Sequence, residues 1–281
     1  MHLKRILSAA VLLPPVLWIV WWGPPLLFAA LVATAGGLMA WEFYGLLGTR
    51  FGPLPRPVGT VLAAAAAAAP ALPTGPEGAL VFLAFAVIVA ALALLVRPGS
   101  LEAGLGQIAA TLLPVLYAGG LLGFTVALRG LPGGREYLLY LLAVTWVADT
   151  AAFYGGMALG RTLLFPRVSP RKTVEGSLAG LVAGASVSLL LQTVVWGALP
   201  WWGAAFLGLL LTAAGQVGDL AESLCKRSAG VKDTGSLLPG HGGLLDRFDS
   251  FLLAAATFGL SFGIYFSISS KWPSEFSACN V

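Results

Sequence analysis

The sequence predicts an all-α, polytopic integral membrane protein with about nine transmembrane helices and a polar cavity at the cytoplasmic side. Three observations predict it. First, 58% of the 281 residues are hydrophobic, only 10% are charged, and the mean hydropathy is +0.89. A soluble domain carries roughly 25% charged residues, and a disordered chain needs few apolar ones. Second, apolar runs recur at about the 20 residues that a spanning helix requires. Third, the basic residues segregate. With the N-terminus in the cytoplasm and sides alternating, Lys4, Arg5, Arg50, Arg56, Arg97, Arg161, Arg167, Arg171, Lys172, Lys226, Arg227, Lys232 and Arg247 fall inside, and only Arg129, Arg135 and Lys271 fall outside. That is the positive-inside bias. The net charge of +4 fits this bias better than a nucleic-acid partner, and a site for anionic phosphates would share the same charges.

The first run, about 6–22, follows His2, Lys4 and Arg5. Ala33-Thr34-Ala35 has the pattern of a leader-peptide cleavage site but lies inside the second run, about 26–47, so both are read as spans. Pro14 and Pro15 kink the first. The segment 48–58 is a Pro-rich loop. The third run, 57–73, contains Ala63–Ala69, which suits close helix packing better than lipid contact, and Pro70 and Pro73 interrupt its end. Further runs follow at 79–96, 108–128, 137–157, 176–198, 201–218 and 250–268. Trp21, Trp22, Trp201 and Trp202 lie near span ends as interfacial anchors. Ser270–Val281 reads as a frayed tail. The chain divides into four N-terminal spans (1–105) and a second region of five (106–281), which holds most of the charged residues. Cys225 and Cys279 fall on opposite sides and do not pair.

Two stretches on the cytoplasmic side depart from the apolar background. In the first, Asp149 lies within a span, where an ionisable residue is costly and is a functional candidate by default. Ser169-Pro170 turns the chain, and Arg171 and Lys172 then precede a helix that starts near Glu175, an arrangement suited to anions. The second runs from Gly218 to Ser250. Asp219, Glu222, Ser223 and Lys226 are spaced to share one face of a helix continuing from the apolar run before it. Gly230 stops that helix. A loop with Lys232, Asp233 and Pro239-Gly240-His241-Gly242-Gly243 follows, and Asp246, Arg247 and Asp249 open the next helix. Asp246 and Asp249, three apart, face one site.

Carboxylates, cations and a glycine-rich loop at one membrane face suit Mg²⁺-dependent phosphoryl or nucleotidyl transfer on a lipid headgroup. Hard oxygen ligands select Mg²⁺, and cations neutralise charge on the transferred group. No G-x-x-x-x-G-K-[ST] or H-E-x-x-H string is present, which excludes a P-loop ATPase and a zincin.

Ser223-Leu-Cys-Lys226-Arg227, then Lys232-Asp233-Thr-Gly235, then Leu238-Pro239-Gly240-His241-Gly242-Gly243-Leu244-Leu245-Asp246-Arg247-Phe248-Asp249 resembles the signature of the phosphatidate cytidylyltransferase (CDP-diacylglycerol synthase) family. Asp149-Thr150 and Ser169-Pro170-Arg171-Lys172-Thr173-x-Glu175-Gly176 resemble its upstream blocks. The likeness is detailed in the C-terminal half; the N-terminal half agrees only in being apolar spans. Cys225 departs from the usual aliphatic or aromatic residue, and Arg171 from the usual lysine.

The resemblance implies condensation of CTP with phosphatidic acid to CDP-diacylglycerol and pyrophosphate, a homodimer in the cell (inner) membrane, and Mg²⁺ with K⁺ beside it. On that basis Asp219, Asp246, Glu222 and Asp249 are the expected metal ligands. Asp219, Asp246, Asp249, Lys226 and Arg227 form the expected catalytic set. Ser169, Arg171, Lys172, Ser223, Lys232, His241, Arg247 and Asp149 are expected around the substrates. The alternatives are another CTP-dependent lipid enzyme, such as a polyprenol kinase, and an ion-coupled transporter with Asp149 and Glu42 on its path. The D-G-x-x-A-R-type string of CDP-alcohol phosphotransferases is absent.

Overall fold

A computed structural model describes residues 13–51, 54–72, 75–96, 104–195, 199–237 and 242–269. The described residues are almost wholly helical. A short apolar helix, α1 (Leu13–Trp22), is followed by α2 (Pro25–Phe51), α3 (Arg56–Ala68), α4 (Gly75–Val96), α5 (Gly104–Pro114), α6 (Leu121–Arg129), α7 (Gly134–Leu159), α8 (Val174–Val195), α9 (Trp201–Ser228) and α10 (Leu245–Ser269). Among the described residues, five helical stretches are long and apolar enough to cross a membrane: Pro25–Gly48, Gly104–Arg129, Gly134–Leu159, Val174–Gln192 and Trp201–Ser228.

One expected span changes, and two other expectations gain local detail. The expected third span is a 13-residue helix that tightens into a 3₁₀ turn at Ala69–Ala71, because Pro70 cannot continue an α-helix. At about 1.5 Å per residue it is too short to cross. The fifth span is continuous but widens into a π-turn at Val115–Gly120, just after Pro114. The all-α expectation holds, with one local addition. In the segment between α7 and α8, β1 (Leu163–Phe165) and β2 (Ser169–Thr173) form an antiparallel hairpin, Leu163 opposite Thr173 and Phe165 opposite Ser169. Pro170 is tolerated because a two-stranded hairpin has only edges.

The main core joins α2, α6, α7 and α10 through Phe43, Tyr44, Leu128, Tyr140, Leu141, Leu252 and Phe258, all at most 2% exposed. The alanine tract behaves as expected. Ala63 and Ala67 are fully buried, and a Cβ on Gly119 of the π-turn would stand 2.3 Å from the Ala63 carbonyl oxygen. Only glycine permits that approach, and close backbone packing is what holds helices together where lipid offers no hydrophobic contrast. Tyr140 Oη bonds Ser188 Oγ at 2.6 Å, and Ser188 bonds the Ala204 carbonyl, tying α7, α8 and α9. Leu178, Val182 and Leu190 of α8 stay exposed, as lipid contact requires.

Candidate active site

The polar residues gather at one end of the bundle. Helix α9 is unbroken over 28 residues, so Asp219, Glu222, Ser223 and Lys226 do share one face. It ends where Gly230 adopts φ 73°, a left-handed conformation that glycine enters without a Cβ penalty. The Val231 N–H bonds the Lys226 carbonyl at 3.0 Å and the Gly230 N–H bonds that of Arg227 at 3.1 Å, the paired bonds of a Schellman stop. The chain returns as α10, with Asp246 in its first turn. Helix α8 starts where Thr173 Oγ1 accepts the Gly176 N–H at 3.2 Å, an N-cap. Both Glu175 carboxylate oxygens hold the backbone N–H groups of Arg161 and Thr162, closing the base of the hairpin. The hairpin thereby carries Lys172 against α9.

Asp246 is the most fully engaged side chain. Its Oδ1 accepts from Lys226 Nζ at 2.8 Å, and its Oδ2 from the Thr234 N–H, the Thr234 hydroxyl and the Gly243 N–H, each at 2.9 Å. It precedes the apolar part of α10. Burial pushes its carboxyl up, but Lys226 and these donors outweigh burial and hold it below the ordinary carboxylate range. Lys226 also reaches Glu222 Oε2 at 3.2 Å. Glu222 is 1% exposed and stands beside the Asp249 carboxyl, so the Lys226 ammonium is shared between Glu222 and Asp246. Asp249 Oδ1 accepts the Ser250 N–H at 2.7 Å. Asp219 pairs with Lys172 through Oδ2 and accepts the Ser223 hydroxyl at 3.4 Å on Oδ1. Asp149 Oδ2 accepts the Ser250 hydroxyl at 2.7 Å.

Asp149, Asp219, Glu222, Asp246 and Asp249 thus share one cluster, with Lys172 and Lys226 between them. Five carboxylates against two ammonium groups leave an excess of hard oxygen donors. That donor chemistry fits a divalent cation such as Mg²⁺. Among the described residues no three acidic, histidine or cysteine side chains already stand as a ligand set; Lys172 and Lys226 hold space between the carboxylates.

Other expected residues lie around the rim. Arg227 Nε donates to the Val168 carbonyl at 3.3 Å and its Nη1 to that of Val231 at 3.2 Å, linking the hairpin turn to the loop after α9. Ser169 and Arg171 lie on β2, Arg171 exposed. Lys232 in the loop and Arg247 in the first turn of α10 are also exposed. His241 lies outside the described residues.

Three contributors escaped the sequence reading. Thr234 sits within the Lys-Asp-Thr-Gly string but supplies two of the four donors to Asp246. Tyr117, in an apolar span, donates its hydroxyl to the Gly218 carbonyl at 3.2 Å. Glu42, weighed above only for an ion path, is 6% exposed and accepts the N–H groups of Leu244 and Leu245.

Fold and site together define a helical membrane protein with an acidic and basic cluster at one end. The chain belongs to the cytidylyltransferase family, whose model it matches over residues 3–265. It is similar to the phosphatidate cytidylyltransferase of Brucella suis biovar 1 (strain 1330), 47% identical over 136 residues, which is 48% of this chain and 50% of that one. That of Bacillus subtilis (strain 168) is 41% identical over 141 residues, 50% of this chain and 52% of the relative. That of Staphylococcus haemolyticus (strain JCSC1435) is 42% identical over 141 residues, 50% and 54%. The chain spans about half the length of the curated relatives it matches.

Proposed function

We propose that this chain condenses CTP with phosphatidic acid to give CDP-diacylglycerol and pyrophosphate, within a phospholipid-building sequence. The observation that carries the reading is the Lys226-centred cluster, in which carboxylates and lysines meet at one end of a helical bundle, in a chain of the cytidylyltransferase family. A phosphate oxygen of the lipid attacks the α-phosphorus of CTP. The new P–O bond forms as the bond from the α-phosphorus to the bridging oxygen breaks, and pyrophosphate leaves. The lipid phosphate is anionic near neutral pH, so no side chain has to act as base.

Lys172 and Arg171 orient the lipid phosphate, and Lys226, Arg227, Lys232 and Arg247 receive the triphosphate charge. Ser223 supplies a polar contact beside Asp219, and Ser169 and His241 are assigned to the substrate rim. Asp219, Glu222 and Asp249 would hold Mg²⁺, with Asp246 fixing Lys226 and the loop behind them. When bound, Mg²⁺ supplies charge neutralisation to the triphosphate. The same reading takes the chain as a homodimer with its site toward the cytoplasm of the cell membrane, and K⁺ beside Mg²⁺.

The test is the detergent-solubilised chain with labelled CTP, phosphatidic acid and Mg²⁺. Lipid-linked cytidylate and an equal yield of pyrophosphate are expected. In a parallel reaction with a polyprenol as acceptor, release of CDP with phosphorylated polyprenol would transfer the reading to a lipid kinase, and no turnover with any lipid acid would end it.

A further inference from the structure

Helix α10 caps its own start only in part: Asp246 takes the Gly243 N–H but leaves those of Leu244 and Leu245. The residues before it, Gly242-Gly243-Leu244, carry no side-chain acceptor, yet the first N–H groups of a helix need partners when they are buried. The partner comes from the other half of the chain. Glu42 of α2 accepts the Leu244 N–H on Oε1 at 3.0 Å and the Leu245 N–H on Oε2 at 2.9 Å. The loop closes over this carboxylate. A Cβ on Gly235 would stand 2.8 Å from Oε1, and one on Gly243 2.6 Å from Oε2. Thr234 Oγ1 lies 3.5 Å from Glu42 Oε2 and 2.9 Å from Asp246 Oδ2, so its single hydrogen serves Asp246 while Glu42 backs it. A negative charge at this helix start is also favoured by the helix dipole.

We propose that Glu42 is a positioning residue for the reaction: it caps α10 from α2 and sets where Asp246, Asp249 and the Thr234 loop stand. The role goes beyond holding the bundle together, because the groups it fixes are those around Lys226, and small misplacements of such groups cost rate. It rests on the activity proposed above. It also makes the N-terminal helices part of the active site's construction, although the signature residues all lie in the other half.

The experiment compares full-length wild type, Glu42→Gln and Glu42→Asp in detergent. Glutamine keeps the shape but turns an NH₂ donor toward a backbone N–H, so one cap bond becomes a donor–donor clash. Turnover per folded molecule should fall about 10- to 100-fold, the usual cost of losing a group that orients site carboxylates, with the KM for CTP little changed. Amide exchange at Leu244 and Leu245 should accelerate in Glu42→Gln while amides of α3 stay protected. Glu42→Asp, one methylene shorter but still an acceptor, should lie between. Wild-type turnover in Glu42→Gln overturns the proposal, as does unchanged exchange at both amides, or a loss confined to the amount of folded protein. If wild type itself makes no CDP-diacylglycerol, the activity falls; the exchange data then still decide whether Glu42 is the cap.

Discussion

Around Ala63 the backbone of α3 lies so near the π-turn that a single methyl on Gly119 has no room, whereas around Lys226 the contacts are ion pairs and hydrogen bonds that reach across α9, α10 and the loop between them. The first region is held by small residues and close backbones, and its chemistry is neutral. The second is held by charge, in a chain where only 10% of residues carry any. The difference separates two demands. A helix seam in lipid needs shape, because apolar surface alone gives no preference for protein over lipid. A site for anionic substrates needs charges kept ready, and these are stable in a bundle only while paired. Mutations that change volume should therefore act on the first region, and mutations that change charge on the second.

The sharpest way to break that division is Asp246→Asn. It leaves the volume unchanged but faces Lys226 and three further donors with a group that offers one acceptor oxygen. Removing one partner of a buried ion pair costs about 3–5 kcal/mol. Thermal unfolding in detergent should fall accordingly, and CDP-diacylglycerol formation should be lost. Full turnover in this variant would show that the cluster is a structural bolt and not a site.

Lys172→Met tests the charged region from its partly exposed side. The side chains of Lys172 and Asp219 are 27% and 32% exposed, so their pair should contribute no more than about 1 kcal/mol to stability. A charge-assisted bond to a phosphate is worth about 1.5–3 kcal/mol, so kcat/KM for phosphatidic acid should fall about tenfold or more at nearly constant melting temperature. A variant that melts early but turns over normally would place Lys172 in the packing category.

Gly119→Ala is the mirror experiment. The new methyl meets backbone and not a movable side-chain tip, and overpacking of this kind costs about 1–3 kcal/mol. Turnover per folded molecule should not change. A selective loss of turnover would show that the π-turn transmits to the site, through Tyr117 and its bond to the Gly218 carbonyl.

The two regions were also unequally legible. The continuation of α9 beyond its apolar run, its stop at Gly230 and the meeting of Asp219, Glu222, Asp246 and Asp249 follow from helical spacing and local stop signals, which are short-range properties. The packing of Ala63–Ala69 was readable from residue size. The hairpin was not, because β1 and β2 are three and five residues long and Pro166 and Pro170 read as loop. Nor was the cap on α10. Glu42 lies some 200 residues from the amides it serves, and one charge in an apolar helix looks the same whether it lines a path or ends a helix. The interruption of the third run at Pro70 was readable, but not that the helix before it is only 13 residues long, because hydropathy alone does not set where a helix starts.

The smallest effect expected is a pH dependence, and it separates the regions by sign alone. Asp246 holds its carboxyl below the ordinary range, so it contributes stability above the unfolded value, near about 3.9. That contribution is fully present at neutral pH and is lost as pH falls through the lower folded value, because the unfolded chain then takes up the proton first. Between pH 8 and 6 this group should add no slope to the melting temperature. Below about pH 4 the wild type should lose stability faster than Asp246→Asn, which has no proton to bind there. Gly119→Ala should run parallel to wild type over the whole range, offset by its packing cost. If Asp246→Asn instead tracked the wild-type slope in acid, Asp246 would not be the held carboxylate, and the charge-keeping role assigned to its four donors would fail.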